Sequence, residues 1–363
     1  MVEHVGLDIS EVGLVENSYL TLRDFALSNG VVMPEVTLAY ETYGQLAPHA
    51  TNAILVTHGF TSSHHAAGRN PANDHQPGFW HELIGPGKAI DTRRFFVVSS
   101  NMLGSAFGST NAASVDPATG RPYGPDFPAI TLRDIVAAQK RLLDALGVRR
   151  LAAVAGPSYG GYQAFQWSVA YPDFVAAIAA VNTAPWASLQ TAQKVAEVTA
   201  TLARDPDWHD GRYHGRGVDA GPRRALTAIR IETLKRYGVE ASLAAHYPDP
   251  AARDARIGEL AARWAHTWDA HSLIILRRAL IGFDARPCFG TIKARVLYVL
   301  CRSDQLFPPS IAPEVMQGLT AAGVAARYVE LDSDLGHSSS GPAHAQWSPA
   351  LRELLANSAH SGN

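Results

Sequence analysis

The chain has 363 residues, 47% of them hydrophobic, with 31 basic and 33 acidic side chains and a formal charge of -2. No basic run marks a surface for nucleic acid or anionic membrane, and no apolar stretch is long enough to cross a bilayer, so neither partner is expected. A small neutral or weakly charged substrate is the simpler expectation. Cys288 and Cys301 give neither a metal spacing nor a disulfide framework, and both are expected as small buried hydrophobes. The start of the chain lacks a charged region leading into an apolar core, which makes cytoplasm the expected location.

In chain order, short apolar runs predict strands at 36–43, 52–57 and 95–100, separated by Gly- and Pro-rich loops. The run at 52–57 leads into His58-Gly59-Phe60-Thr61-Ser62-Ser63-His64-His65. An early loop of this kind supplies one amide of an oxyanion hole, and Phe60 is the expected donor. His58, His64 and His65 lie close in sequence, but catalytic zinc needs three protein ligands at a fitting spacing, so no metal is expected. Asn101 and Arg121 fall in loops near the expected site, where either substrate positioning or loop packing would account for them.

Leu151-Ala152-Ala153-Val154-Ala155 predicts a buried strand and Tyr162 to Ala170 a helix. Between them, Gly156-Pro157-Ser158-Tyr159-Gly160-Gly161 has the pattern of a nucleophile elbow, a sharp strand-to-helix turn that projects the serine hydroxyl from a sheet edge. Side chains at 156 or 160 would crowd the neighbouring backbone. The helix start behind Ser158 adds free amides and a positive dipole end, and the Tyr159 amide is the expected second oxyanion donor. Asp173, after that helix, is expected to order a turn.

A further strand is predicted at 176–181, and then the pattern changes. From 184 to 283 the chain is rich in Ala, Arg and Leu at helical spacing, with no convincing strand. This predicts a helical lid inserted into one core made of residues 1–183 and 284–363. Trp186 and Trp208 would line its tunnel or pack between its helices. The sheet resumes at 295–300 and 326–331, and a helix at 346–356 closes the chain. The alternation of strands and helices predicts an α/β fold with a mostly parallel sheet covered on both faces.

A serine hydroxyl needs a base, and the base needs an orienting acid. Asp304 follows the 295–300 strand and His337 follows the 326–331 strand, which gives the order serine, acid, histidine on one sheet edge. Ser158, Asp304 and His337 are therefore the expected catalytic residues.

Several segments resemble the homoserine O-acetyltransferase family of α/β-hydrolases: Tyr40-Glu41-Thr42-Tyr43-Gly44, the loop from Thr61 to Gly68, 84–92, Ser100-Asn101-Met102-Leu103-Gly104, 119–128, and Ser303-Asp304-Gln305-Leu306-Phe307-Pro308-Pro309. The resemblance runs from about residue 36 to 340. It implies an α/β-hydrolase fold, places nucleophile, acid and base on Ser158, Asp304 and His337, and implies a homodimer formed through the lid. It also implies a narrow tunnel suited to short acyl groups.

The chain departs from that family at the acceptor. Ser338 stands where family members have an aspartate that receives the amino group of homoserine. Aligning 221–234 with the lid segment puts Leu226 and Thr233 where an arginine and a tyrosine hold the substrate carboxylate, with Arg223, Arg224 or Arg230 as substitutes. Pro157 and Tyr159 replace residues that are generally small, or methionine. A buried zwitterion needs paired charges. The expected function is therefore a carboxylic ester hydrolase of short acyl chains, working through an acyl-enzyme on a small ester without a cofactor. The alternative is an acyl-CoA-dependent O-acyltransferase using acetyl-CoA as donor and homoserine or another hydroxylated acceptor. A non-catalytic binding protein is the third reading, and an intact triad argues against it.

Overall fold

The computed structural model describes residues 12–71, 75–187, 190–217 and 220–356. Eight strands form the main sheet: β1 (Ser18–Ala26), β2 (Val32–Tyr43), β3 (Ala53–Thr57), β4 (Phe96–Ser100), β5 (Leu151–Pro157), β6 (Ala177–Val181), β7 (Arg295–Cys301) and β8 (Ala326–Leu331). Their order across the sheet is β1-β2-β4-β3-β5-β6-β7-β8. β1 pairs antiparallel with β2, and β2 antiparallel with β4. Every pairing from β4 to β8 is parallel. β3 and β6 are buried at every position, as expected for parallel strands covered on both faces.

Alternation along the central strands divides the core. Leu55, Val154, Ile178 and Tyr298 point into one apolar cluster, while Ile54, Ala153, Ala179 and Val299 point into another. Helices α1 (Leu132–Ala145) and α2 (Tyr159–Ala170) pack within the first cluster, and α9 (His344–Ala356) supplies Trp347, Leu351 and Leu355 to the second. Helix α1 opens with a capping box, Thr131 accepting from the Asp134 amide and Asp134 from the Thr131 amide. The C-terminal helix spans 344–356 where the sequence predicts 346–356, and the elbow helix starts at Tyr159 rather than Tyr162. β1 was not among the predicted strands.

Between β6 and β7 lie helices α3 (Ala192–Ala203), α4 (Arg223–Arg236), α5 (Val239–Leu243), α6 (Pro250–Thr267) and α7 (Ala270–Ala279). The two ends of this stretch meet in a bridge between Trp186 and Asp284, flanked by hydrogen bonds from the Ala187 amide to the Phe283 carbonyl and from the Ala285 amide to the Pro185 carbonyl. The remaining helix, α8 (Ala312–Ala321), packs against β8. No helix among the described residues is long and apolar enough to cross a membrane.

Candidate active site

β5 ends at Pro157, and the backbone turns at Ser158 with φ 55° and ψ -118°, a left-handed conformation unusual for a residue with a side chain. Two close approaches require the flanking glycines. A Cβ on Gly156 would lie 2.2 Å from Thr57 Oγ1, and one on Gly160 would lie 2.3 Å from the Thr57 carbonyl oxygen. The elbow is therefore jammed against the end of β3, which leads directly into the Phe60 loop. The Ser158 amide donates to the Val181 carbonyl at 2.8 Å, and Thr183 Oγ1 donates to the Ser158 carbonyl at 2.8 Å. Those bonds hold the strained turn in place.

His337 Nε2 lies 2.8 Å from Ser158 Oγ, and His337 Nδ1 lies 2.8 Å from Asp304 Oδ2. The other oxygen of Asp304 accepts the amides of Leu306 at 2.8 Å and Phe307 at 3.2 Å. That carboxylate is buried and fully engaged, and it fixes the imidazole with Nδ1 protonated and Nε2 facing the serine. The imidazole is packed between Tyr237 and Phe307, with ring centroids 4.7 and 5.6 Å away. Asn182 also holds this turn, donating from Nδ2 to the His337 carbonyl at 3.2 Å and to Ser339 Oγ at 2.9 Å. Sequence reasoning missed Asn182, which is the first residue after β6 and has φ 45°.

Phe60 lies in the loop after β3, and Tyr159 directly follows Ser158. Tyr159 is the first residue of α2, so its amide has no acceptor within the helix. The rings of Phe60 and Tyr159 stack at 5.9 Å, and the Tyr159 hydroxyl donates to the Leu276 carbonyl of α7 at 3.1 Å. A tyrosine at this position thus ties the elbow helix to the inserted helices. The Phe60 loop is anchored from several sides. Trp264 Nε1 donates to the Thr61 carbonyl at 3.1 Å. Buried Glu41 accepts from His65 Nδ1, from Asn70 at 2.7 Å and from the Tyr43 hydroxyl, which itself accepts the Ala66 and Ala67 amides.

Ser158 and His337 open onto a cavity of about 220 Å³ whose lining also includes Phe60, Thr61, Ser62, Arg230, Leu234, Tyr237, Ser338 and Ser340. Among the described residues Arg230 is its one guanidinium or ammonium group, and no aspartate or glutamate lines it. The Arg230 side chain donates to Thr61 Oγ1 at 2.7 Å and lies 4.9 Å over the Trp264 ring. Its Nε is buried without a hydrogen-bond partner, and burial holds its pKa below the usual arginine value. Among the described residues no carboxylate lies within ion-pair distance of it. Arg277, beside the cavity, stands 5.1 Å over the Phe60 ring and has the same character, its pKa also lowered by burial. Burial pushes the Tyr237 phenol up, an effect offset in part by these two guanidinium groups and by Thr61.

This corrects the reading of the acceptor pocket. Leu226 is buried in the core and Thr233 turns its hydroxyl back to the Ile229 carbonyl at 2.8 Å, so neither faces Ser158. Arg230 and Tyr237, each one helical turn further along α4, occupy the cavity in their place. The pocket does hold a guanidinium. Arg230 was among the possible substitutes; Arg223 instead donates to the Trp268 carbonyl at 3.0 Å, and Arg224 is exposed. Ser338 does line the cavity.

Other expectations resolve more simply. Asn101 bonds to buried His58 through Oδ1 at 2.9 Å and to the Ala106 carbonyl through Nδ2 at 2.6 Å, which is loop packing. Arg121 lies in a two-residue ribbon paired with Asp116. Trp208 packs on Tyr213 and His271, and Trp186 lies under Arg286, both away from the Ser158 cavity. Asp173 pairs with Lys293 at 2.7 Å on the surface rather than ordering its own turn. Cys301 is buried as expected, whereas Cys288 is exposed because it lies in a short surface turn. His64 bonds to Asn17 at 3.0 Å and His65 to Glu41 at 3.0 Å, and no metal-binding group of three occurs among the described residues.

A serine, histidine and aspartate hydrogen-bonded in series at the strand ends of a largely parallel sheet is the arrangement that α/β-hydrolases carry. The sequence model for the alpha/beta hydrolase fold matches residues 52–341. The homoserine O-acetyltransferase of Moorella thermoacetica is 39% identical over 332 residues, which covers 86% of this chain and 88% of that protein. The homoserine O-succinyltransferase of Halorhodospira halophila is 36% identical over 379 residues, 97% of this chain and 96% of its own length. The crystal structure of esterase E22 matches with a TM-score of 0.85 at 31% identity, covering 94% of this chain and 100% of that one. The chain belongs to the homoserine O-acetyltransferase family of α/β-hydrolases, and it is an enzyme. Both transferases and an esterase stand among these relatives, so they do not favour hydrolysis over transfer.

Proposed function

We propose that the protein is an acyl-transferring serine enzyme that passes a short acyl group to the hydroxyl of a small carboxylate-bearing acceptor. One observation carries this reading: Arg230, without a carboxylate partner, faces the same cavity as Ser158. A partly buried guanidinium with an open donor is costly to keep unless a ligand anion completes it. This reverses the weight given to water from the sequence alone.

In the proposed reaction His337 Nε2 takes the Ser158 proton as Oγ attacks the acyl donor. Asp304 steadies the imidazolium without itself taking a proton. The amides of Phe60 and Tyr159 stabilise the oxyanion, a contribution on the order of 100- to 1000-fold per donor. His337 then protonates the leaving group, which is the thiol of CoA if acetyl-CoA is the donor, and an acyl-Ser158 ester remains. The acceptor hydroxyl enters with its carboxylate on Arg230 and Tyr237, gives its proton to His337 and attacks the ester.

Ester hydrolysis is the second reading, in which water resolves the acyl-enzyme. Ser338 favours it, since among the described residues no acid lines the cavity to receive the ammonium of homoserine. The two readings separate when purified protein is given p-nitrophenyl acetate alone, then acetyl-CoA with and without hydroxylated acids. CoA release that depends on the acid supports transfer. Fast nitrophenol release with no stimulation by any acceptor supports the esterase.

A further inference from the structure

We propose that the acceptor taken by the Ser158 cavity is a short hydroxycarboxylate that carries no ammonium group. The inference rests on the acyl-transfer reading and specifies its substrate class. Its basis is the charge balance around the cavity. Arg230 lines it, and Arg277 stands beside it over Phe60, close enough for both to act on Tyr237. Asp304, behind His337, is committed to that imidazole and to two backbone amides. Thr61, Ser62, Ser338 and Ser340 add only neutral hydroxyls. A carboxylate entering this space meets a guanidinium with unused hydrogen-bonding capacity. An ammonium group entering it loses its hydration, meets positive potential and finds no counter-charge.

The cavity, of about 220 Å³, has room for a four-carbon acid. In the transfer step a bond forms between the acyl carbon and the acceptor oxygen while the bond from that carbon to Ser158 Oγ breaks. The hydroxyl proton passes to His337 Nε2 and from there to the departing Oγ, so the enzyme returns to its starting state and the product is an O-acyl carboxylate.

The test compares 4-hydroxybutyrate with homoserine as acceptors for the full-length protein supplied with acetyl-CoA, each O-acetyl product being measured by mass spectrometry. The expected result is a kcat/KM at least about tenfold higher for 4-hydroxybutyrate, the scale of a single unpaired buried charge. In Ser338→Asp the preference reverses towards homoserine; the wild-type comparison stands without this variant. Equal or better acetylation of homoserine by the wild type overturns the inference while leaving acyl transfer intact. So does equal use of 1,4-butanediol, which lacks the carboxylate. Faster transfer from succinyl-CoA than from acetyl-CoA, with no preference among acceptors, would put the anion on the acyl group and overturn it too. Hydrolysis of the acyl-enzyme with no transfer to any acceptor defeats the underlying reading as well.

Discussion

Replacing Arg230 with methionine should separate binding from folding in one variant. Among the described residues its anchors are the hydrogen bond to Thr61 Oγ1 and the Trp264 ring at 4.9 Å, together worth roughly 1–3 kcal/mol. Against them stands the desolvation that lowers its pKa and leaves Nε unpartnered, a cost of similar size. Methionine keeps most of the volume and removes the charge. Stability should therefore stay level or rise by about 1 kcal/mol, a melting temperature unchanged or about 2 °C higher. Binding should behave differently. A charge-assisted pair of hydrogen bonds to an acceptor carboxylate is worth about 3 kcal/mol, so kcat/KM for acyl transfer should fall about 100-fold. Turnover of p-nitrophenyl acetate, which has no carboxylate, should change by less than about threefold. Thermal melts and the two steady-state assays on the same preparation measure all three quantities. A variant that melts well below the wild type yet transfers acyl groups normally would show Arg230 to be structural, and the reasoning would fail.

Gly160→Ala places a methyl group 2.3 Å from the Thr57 carbonyl, so the elbow must shift. Esterase and transferase activity should both drop by at least about 100-fold, from the displacement of reacting groups by on the order of 1 Å, with stability lowered by about 1–3 kcal/mol. Acid should destabilise the protein by forcing its buried histidines to take up protons. Burial lowers His58 and His64 from 6.5 to about 4 and also lowers His271. The unfolded chain binds these protons first, so stability is full above pH 6.5 and falls towards pH 4, by roughly 3 kcal/mol for each of the two larger shifts. His65, raised by its bond to Glu41 against the opposing effect of burial, contributes stability below pH 6.5 and offsets part of that loss. Denaturant titrations at pH 7 and pH 4.5 should show the decline, and a flat profile would contradict these assignments.

Much of this was legible because β-strands in a parallel sheet are continuous apolar runs, and the runs of the parallel strands were read within a residue or two, whereas antiparallel β2 begins four residues before the predicted start. The elbow was legible for a sharper reason: Gly156 and Gly160 are demanded by contacts with Thr57 that leave no room for a Cβ. β1 was missed although Tyr19, Thr21 and Arg23 alternate with Leu20 and Leu22, since the alternation breaks at exposed Asp24 and an edge strand with one solvated face carries a weaker signal than a buried one. Helix α1 announced itself in Thr131 and Asp134, a capping box that went unread. Which residues of α4 face the cavity was harder to read, because the helix is amphipathic only weakly and a four-residue shift leaves its pattern unchanged. Arg230, one of three arginines that the sequence offered, is the one that lines the cavity. Asn182 left no trace in sequence because its role depends on β6 ending beside the His337 turn.

The central claim is that acyl groups pass through Ser158. Mass spectrometry of protein quenched during turnover of p-nitrophenyl acetate tests it most directly. An acetyl group is expected on the peptide that contains Ser158, and none in Ser158→Ala. Acetylation at another residue, or undiminished turnover by Ser158→Ala, would contradict it.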